Sequence, residues 1–227
     1  MEIQNVVTGV IPDLQIPGHL DDALEFCLDT FSDNKVEQVV CIGDLVDHHY
    51  ISRHTTEYDA LNSEEEWKLS MKELRRWYKA FPNVFLCKGN HDEIPTRHAQ
   101  SLGLSPKLFV RTLNNIYKMP KGWVWDDYFT MGSKLWIEHG IGSNGMYGCK
   151  NTALKKGCSY VQGHTHAHGG VFDIPSAFEH RQAMNVGCLM DVDKYNARYG
   201  KIWYKVPMSL GCGIIKAPDE MQFIPKR

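Results

Sequence analysis

Apolar residues in this chain recur with two alternating periods, and the switch between them predicts the elements. Val6-Val7-Thr8-Gly9-Val10-Ile11 is a continuous run of strand length, closed by Pro12-Asp13-Leu14-Gln15. Leu20, Leu24, Leu28 and Phe31 follow at helical spacing, with Asp21 and Asp22 where carboxylates favour a helix start. The run from Val36 to Ile42 predicts a second strand and ends in Gly43-Asp44-Leu45-Val46-Asp47. Residues 48–63 are polar and aromatic without a clear period. Trp67, Met71, Leu74, Tyr78 and Phe81 then mark a long amphipathic helix. A third strand, Asn83 to Cys87, runs into Gly89-Asn90-His91-Asp92.

Further along, Ser105-Pro106 pairs a cap residue with a first-turn proline and predicts a helix to about Ile116. Leu135-Trp136-Ile137 predicts a short strand ending in Glu138-His139-Gly140. The Gly-rich stretch 140–148 leads to a helix through Ala153 and Leu154. Ser159-Tyr160-Val161 predicts a strand that ends in Gly163-His164-Thr165-His166. Beyond it the helical period stops. Gly170-Val171-Phe172, Ala183 to Val186, Ile202-Trp203-Tyr204 and Gly213-Ile214-Ile215 suggest hairpins that close a second sheet. With no linker, repeat or low-complexity segment in view, the expectation is a single α/β domain over residues 1–227.

Composition narrows the function classes. The chain has 227 residues, 43% of them hydrophobic and 23% charged, enough to bury a sizeable core. A net charge of −2 gives no global pull toward nucleic acid or a membrane surface. There is no charged-then-apolar leader pattern and no apolar run of about 18 residues. The seven cysteines are scattered and contain no CxxC pair, which points to buried free thiols in a reducing, cytoplasmic setting. The 11 histidines matter more for where they cluster than for their number.

The clustering follows the strands. One apolar strand after another ends in polar residues, and in α/β sheets ligand sites form at the carboxyl ends of strands. Together these ends offer Asp13, Gln15, Asp44, Asn90, His139, His164 and His166, oxygen and nitrogen donors sufficient for two metal ions. Asp44, on a central strand, is a natural bridging carboxylate. Two metals about 3.5–4 Å apart can clamp phosphate oxygens during in-line displacement. Each motif alone has a plainer account. Asp-x-Gln is ordinary turn chemistry, Gly-Asp-x-x-Asp can cap a helix, Gly-His-Thr-His can be a surface tract, and a lone His139 is more often a satisfied histidine. If the Gly-His-Thr-His segment is β-like, His164 and His166 point the same way, as a metal requires.

Taken in order, Asp13-x-Gln15, Gly43-Asp44-x-x-Asp47, Gly89-Asn90-His91-Asp92, His139-Gly140 and Gly163-His164-x-His166 resemble the calcineurin-like metallophosphoesterase superfamily, over about residues 5 to 190. The compact size and the tail after Asn185-Val186-Gly187-Cys188 are similar to small phage-encoded or bacterial members. The resemblance implies a two-sheet β-sandwich flanked by helices, with a dinuclear site at one edge. It implies that Asp13, Gln15, Asp44 and His166 hold one metal and that Asp44, Asn90, His139 and His164 hold the other. It further implies that His91 protonates the leaving oxygen or stabilises transition-state charge, while Asp47 and Asp92 orient His91 or neighbouring ligands. Gln15 departs from the family, which usually has histidine there. A carboxamide oxygen is harder and weaker than imidazole, so the metal expected is Mn²⁺, with Zn²⁺, Fe²⁺, Ni²⁺ or Mg²⁺ also compatible.

Substrate contacts are less marked. Residues 48–63 can form a wall of the pocket, with Arg53 or His49 gripping a phosphate oxygen, or can be a solvated loop. His168 continues the histidine tract as a rim group. Arg97, His98, Lys107 and Arg111 are either a basic rim or an exposed helix face. The function expected is hydrolysis of a phosphodiester or nucleotide-like phosphoester by metal-activated hydroxide, on a small nucleotide or a short nucleic-acid end. The alternatives are a phosphomonoesterase (nucleotidase or protein phosphatase) and a non-catalytic binding module on the same fold. His91 and every ligand position other than the Gln15 variation are present, which favours catalysis.

Overall fold

In the computed structural model the described residues are 1–52, 58–104, 113–176, 179–195, 197 and 207–227. Four strands, β1 (Thr8–Ile11), β2 (Gln38–Cys41), β3 (Val84–Cys87) and β4 (Trp123–Asp126), lie parallel and in sequence order. In the second half of the chain come β5 (Tyr128–Met131), β6 (Leu135–Glu138), β7 (Ser159–Gln162), β8 (Gly170–Pro175), β9 (His180–Asn185), β10 (Gly211–Ala217) and β11 (Glu220–Pro225). One sheet has the order β11-β10-β1-β2-β3-β4 and the other β5-β6-β7-β9-β8. Both are mixed, and helices flank them: α1 (Ala23–Asp33), α2 (Ser63–Ala80), α3 (Ile94–Ser101), α4 (Leu113–Ile116) and α5 (Gly148–Lys156). The expected α/β sandwich is the fold observed.

The two-residue period of the strands explains why they are apolar throughout. Val10, Val40 and Cys87 face the second sheet and pack with Phe129, Ile137, Val161 and Met184. Their neighbours Ile11, Cys41 and Leu86 face the helices and pack with Leu24, Cys27, Phe31, Leu74 and Trp77. A strand buried on both faces has no polar side to show, so its polar residues collect at its end. The helix α2 starts at a capping box in which Asn62 accepts from Glu64 N and Glu65 N, and the Glu65 carboxylate accepts from Asn62 N. All seven cysteines are buried free thiols. Among the described residues, no helix is long and apolar enough to cross a membrane.

Several expectations need correction. The C-terminal hairpin of β10 and β11 does not close the second sheet. It pairs antiparallel with β1 and completes the first, because Ile214 and Ile215 supply one side chain to each of the two cores. Among the described residues, β8 and β9 close the second sheet. Helix α3 and the strands β4, β5 and β11 carry too short a periodic signal to be seen in the sequence. Leu28, at a core-like helical position, is 38% exposed. Of the helix expected from Ser105, residues 113–116 are helical and 105–112 lie outside the described residues, as do Lys107, Arg111 and Ile202-Trp203-Tyr204.

Candidate metal centre

The ends of β1, β2, β3, β6 and β7 converge. Asp44, His139 and His164 place one donor atom each within 4.8 Å of one another, and Asp13, Asp44 and His166 do the same. Asp44 belongs to both groups. Its Oδ2 lies 3.2 Å from His139 Nε2, and Asn90 Oδ1 lies 3.0 Å from the same nitrogen. Across the cluster, Asp13 Oδ2 is 3.0 Å from His166 Nε2 and accepts the backbone N–H of His164 at 2.9 Å. The Gln15 amide faces His166 Nε2 at 3.2 Å; turned about its own bond, it offers Oε1 there instead. All seven side chains expected as ligands are thus brought to one place.

The donor set fits divalent cations. Asp13 is fully buried, and its Oδ1 has no hydrogen-bond partner among the described residues. The ring nitrogen Nδ1 of His139 faces Ile42 O at 3.1 Å and donates to it, which leaves Nε2 to point a lone pair at two oxygen acceptors. Such a convergence is satisfied by a metal ion or by an extra proton. Burial opposes that proton, but the carboxylates of Asp44 and Asp13 outweigh burial and raise the His139 pKa to about 9. Burial likewise opposes charge on Asp44, and the His139 and His91 rings beside it hold its carboxyl well below the usual range.

Tight approach explains the motif glycines. A Cβ on Gly89 would stand 2.1 Å from Asp44 Oδ1, and one on Gly163 would stand 2.2 Å from Asp13 Oδ1. Only glycine leaves room for the carboxylates.

His91 sits at the edge of the cluster. Its Nδ1 faces Asp47 Oδ1 at 2.9 Å and Asp47 O at 2.7 Å, and its backbone N–H donates to Asp44 Oδ1 at 2.8 Å. Burial works against a charged ring; the Asp44 and Asp47 carboxylates overcome it and raise the His91 pKa to about 10. Asp92 plays a different part. Its carboxylate accepts from the backbone N–H groups of Asp44 (3.0 Å), Leu45 (3.2 Å) and Gly89 (2.9 Å) and from Tyr117 Oη (3.0 Å). Asp92 therefore ties the β2 and β3 loops together and positions Asp44, whereas Asp47 orients His91. Tyr117, missed in the sequence because it reads as core, also bonds His48 Nε2 at 2.9 Å. Tyr117→Phe leaves a buried carboxylate short of one donor and is expected to cost about 1–3 kcal/mol, measured as the shift in denaturant midpoint at unchanged slope.

The histidine segment after β7 is not extended, contrary to the β-like reading. Thr165 N–H donates to Gly163 O (2.8 Å) and Ala167 N–H to Thr165 O (2.6 Å), so His164 (φ 69°) and His166 (φ 55°) are the centres of consecutive γ-turns. Of the eight non-glycine residues with positive φ among those described, six are Gln15, Asp44, His48, His164, His166 and His168, all in these loops. Strain of roughly 1–3 kcal/mol each is concentrated where the donors are aimed. The alternation still turns both histidines into the cluster.

The residues expected to touch substrate fare less evenly. Arg53 lies outside the described residues, as does His54. His49 is buried rather than on a pocket wall, with its N–H on Glu66 Oε1 (2.9 Å) and its ring edge-on to Tyr195. His168 is half-buried at the end of the γ-turn segment. A cleft of about 370 Å³ reaches the edge of the cluster at Asn90 and His91, and Ile51, Ile94, Arg97 and His98 are among its other walls. Arg97 is thus both rim and brace, since its Nη2 donates to Asn90 O at 2.5 Å. His180 pairs with Asp173 and Arg181 with Glu179 on the β8–β9 hairpin.

The chain belongs to the calcineurin-like phosphoesterase family, whose model matches residues 7–173. Among solved structures it is similar to vacuolar protein sorting 29 from Cryptosporidium parvum, at 14% identity and a TM-score of 0.46, covering 99% of this chain and 100% of that one. It is similar to the nuclease MPE of Pseudomonas putida, at 12% identity and a TM-score of 0.39, covering 96% and 86%. It is also similar to the phosphoesterase YfcE of E. coli, at 14% identity and a TM-score of 0.40, covering 95% and 96%. Comparison with curated protein sequences gave no match.

Proposed function

We propose that this protein is a dinuclear metal-dependent phosphoesterase acting on a phosphodiester or nucleotide-like phosphoester. The observation that carries this reading is the pair of carboxylate–histidine clusters sharing Asp44, with His91 beside them on the wall of one cleft. Asp13, Gln15, Asp44 and His166 would hold one ion, and Asp44, Asn90, His139 and His164 the other. Two divalent ions bound there supply Lewis acidity toward the phosphoryl oxygens and an activated water.

The chain's own groups complete the chemistry. Asp47 engages Nδ1 of His91 and leaves Nε2 to serve the cleft. The charged ring, held by Asp44 and Asp47, gives its proton to the departing oxygen. Asp92 keeps Asp44 and Gly89 in register so that donor and acid do not drift apart. The cleft of about 370 Å³ suits a small phosphoester, with Arg97 and His98 as its cationic or hydrogen-bonding side. A neighbouring apolar cavity of about 260 Å³, lined by Val46, Tyr50, Ile51, Trp67 and Ile116 among others, shares Ile51 with it. That pairing supports a substrate with an apolar or aromatic group next to its phosphate.

Parallel hydrolysis of p-nitrophenyl phosphate and bis-p-nitrophenyl phosphate with Mn²⁺, Zn²⁺, Mg²⁺ or chelator tests the reading. Diester cleavage dependent on Mn²⁺ is the expected result. Preference for the monoester would move the substrate class to phosphomonoesters, and no activity with any metal would leave a binding module on this fold. Gln15 bears on the metal itself. Gln15→His is expected to raise Zn²⁺ affinity relative to Mn²⁺ by about tenfold or more, about 1.4 kcal/mol, in a metal titration. Identical affinities and preference in the two proteins would contradict a weaker, manganese-selective Gln15 site.

A further inference from the structure

Asn185 closes β9 and is 2% exposed. In register it pairs with Gln162 of β7 on one side and with Gly170 of β8 on the other. The segment between those two partners, residues 163–169, is the γ-turn strap that carries His164 and His166. Asn185 therefore lies directly inside the loop it faces. Its carboxamide uses all of its principal capacity there. Nδ2 donates to Thr165 Oγ1 at 2.5 Å and to Ala167 O at 3.1 Å, and Oδ1 accepts Gly187 N–H at 3.0 Å.

The two donated bonds fall one on each side of His166, and Thr165 stands between the two histidines. The rest of the strap is held by backbone: Gly163 N–H to His139 O (3.1 Å) and Ser209 N–H to His166 O (2.8 Å). Side chains also reach it elsewhere: Thr165 Oγ1 donates to Ala167 O (3.1 Å), His164 N–H donates to Asp13 Oδ2 (2.9 Å), Cys188 Sγ meets His166 O (3.8 Å), and Gln15 Nε2 and Asp13 Oδ2 face His166 Nε2 at 3.2 and 3.0 Å. His164 joins the Asp44–His139 cluster and His166 the Asp13–Asp44 cluster, so one strap feeds one imidazole to each half of the centre. Both imidazoles stand on positive-φ residues, a backbone that reverts to commoner conformations unless its surroundings hold it.

We propose that Asn185 is a positioning residue that sets the affinity of both metal sites at once, so that the two sites depend on one shared support. The proposal rests on the dinuclear reading above. Asp44 links the sites through a shared ligand, and Asn185 links them through shared geometry. A residue on either side alone, such as Gln15, lacks this reach.

Asn185→Asp is the discriminating variant, since it keeps the acceptor for Gly187 N–H and loses both donors to the strap. Mn²⁺ stoichiometry and affinity are measured by equilibrium dialysis with metal analysis, alongside melting of the chelator-treated protein. The wild type is expected to bind two ions. Asn185→Asp is expected to weaken both by about 10–100-fold, and its metal-free form is expected to melt below wild type because two buried bonds are lost, so the affinities are compared at a temperature where both proteins are folded. Gln15→Ala is expected to weaken one ion only. Wild-type affinity at both sites in Asn185→Asp, or weakening of one site alone, overturns the linkage while leaving the dinuclear reading intact. A wild type that binds fewer than two ions overturns the dinuclear reading, and the linkage with it. Should Asn185→Asp fail to fold, Thr165→Val removes one of the two strap bonds from the other side, and the same joint weakening is required of it.

Discussion

Asp44→Asn is expected to abolish joint binding of two metal ions and to lower turnover by about 10³-fold or more. Asp44 is 1% exposed and belongs to both clusters, so no other carboxylate in the cluster can replace it. Asparagine keeps the shape and one oxygen but removes the charge that two divalent ions would share under the proposed function, a loss on the order of 4 kcal/mol in a water-poor site. It also removes one of the two anions that hold the His91 ring charged, because Asp44 raises its pKa. The bonds that the Asp44 and Leu45 backbone N–H groups donate to the Asp92 carboxylate do not involve the substituted group, so the loop is expected to stay in place. Metal content by equilibrium dialysis and turnover on bis-p-nitrophenyl phosphate are the two readouts. Two bound ions at wild-type affinity, or turnover within tenfold of wild type, would remove Asp44 from the bridging position.

His91→Ala is expected to leave both ions bound and to lower turnover by about 10²–10⁴-fold, the usual worth of a positioned general acid. The bond from His91 to Asp44 Oδ1 is made by its backbone N–H, which alanine retains. The loss is therefore expected in the chemical step rather than in metal affinity. The sharper test varies the leaving group. An alkyl ester, whose departing oxygen needs a proton, should lose most of its rate. A p-nitrophenyl ester, whose leaving group departs as a stable anion, should lose much less. Equal losses on the two esters, or none, would contradict proton donation by His91. Asp47→Asn should show the same leaving-group pattern at smaller size, since it removes one of the two carboxylates that keep the ring charged.

The sequence by itself determined the alternation of strands with helices, the strand-end position of each donor, and the identity of the family. These are local properties. A strand buried on both faces must be apolar along its length, so Val39-Val40-Cys41-Ile42 stands out from Gly43-Asp44, and Phe85-Leu86-Cys87 from Gly89-Asn90-His91-Asp92. Other features became visible only in three dimensions. That β10 and β11 join the first sheet depends on which edge strand lacks a partner, a fact about residues some 200 positions apart. The separate duties of Asp47 and Asp92 depend on where each side chain ends, against an imidazole in one case and three backbone N–H groups in the other. His49 and Tyr117 could not be sorted by residue type, because burial decides whether a polar side chain meets solvent, substrate or an ion pair. The γ-turns at His164 and His166 are likewise invisible to spacing, since local preference opposes positive φ at histidine and long-range bonds, those from Asn185 among them, offset it. Local composition thus set which groups reach the sheet edge, and tertiary hydrogen bonds set how each one is aimed.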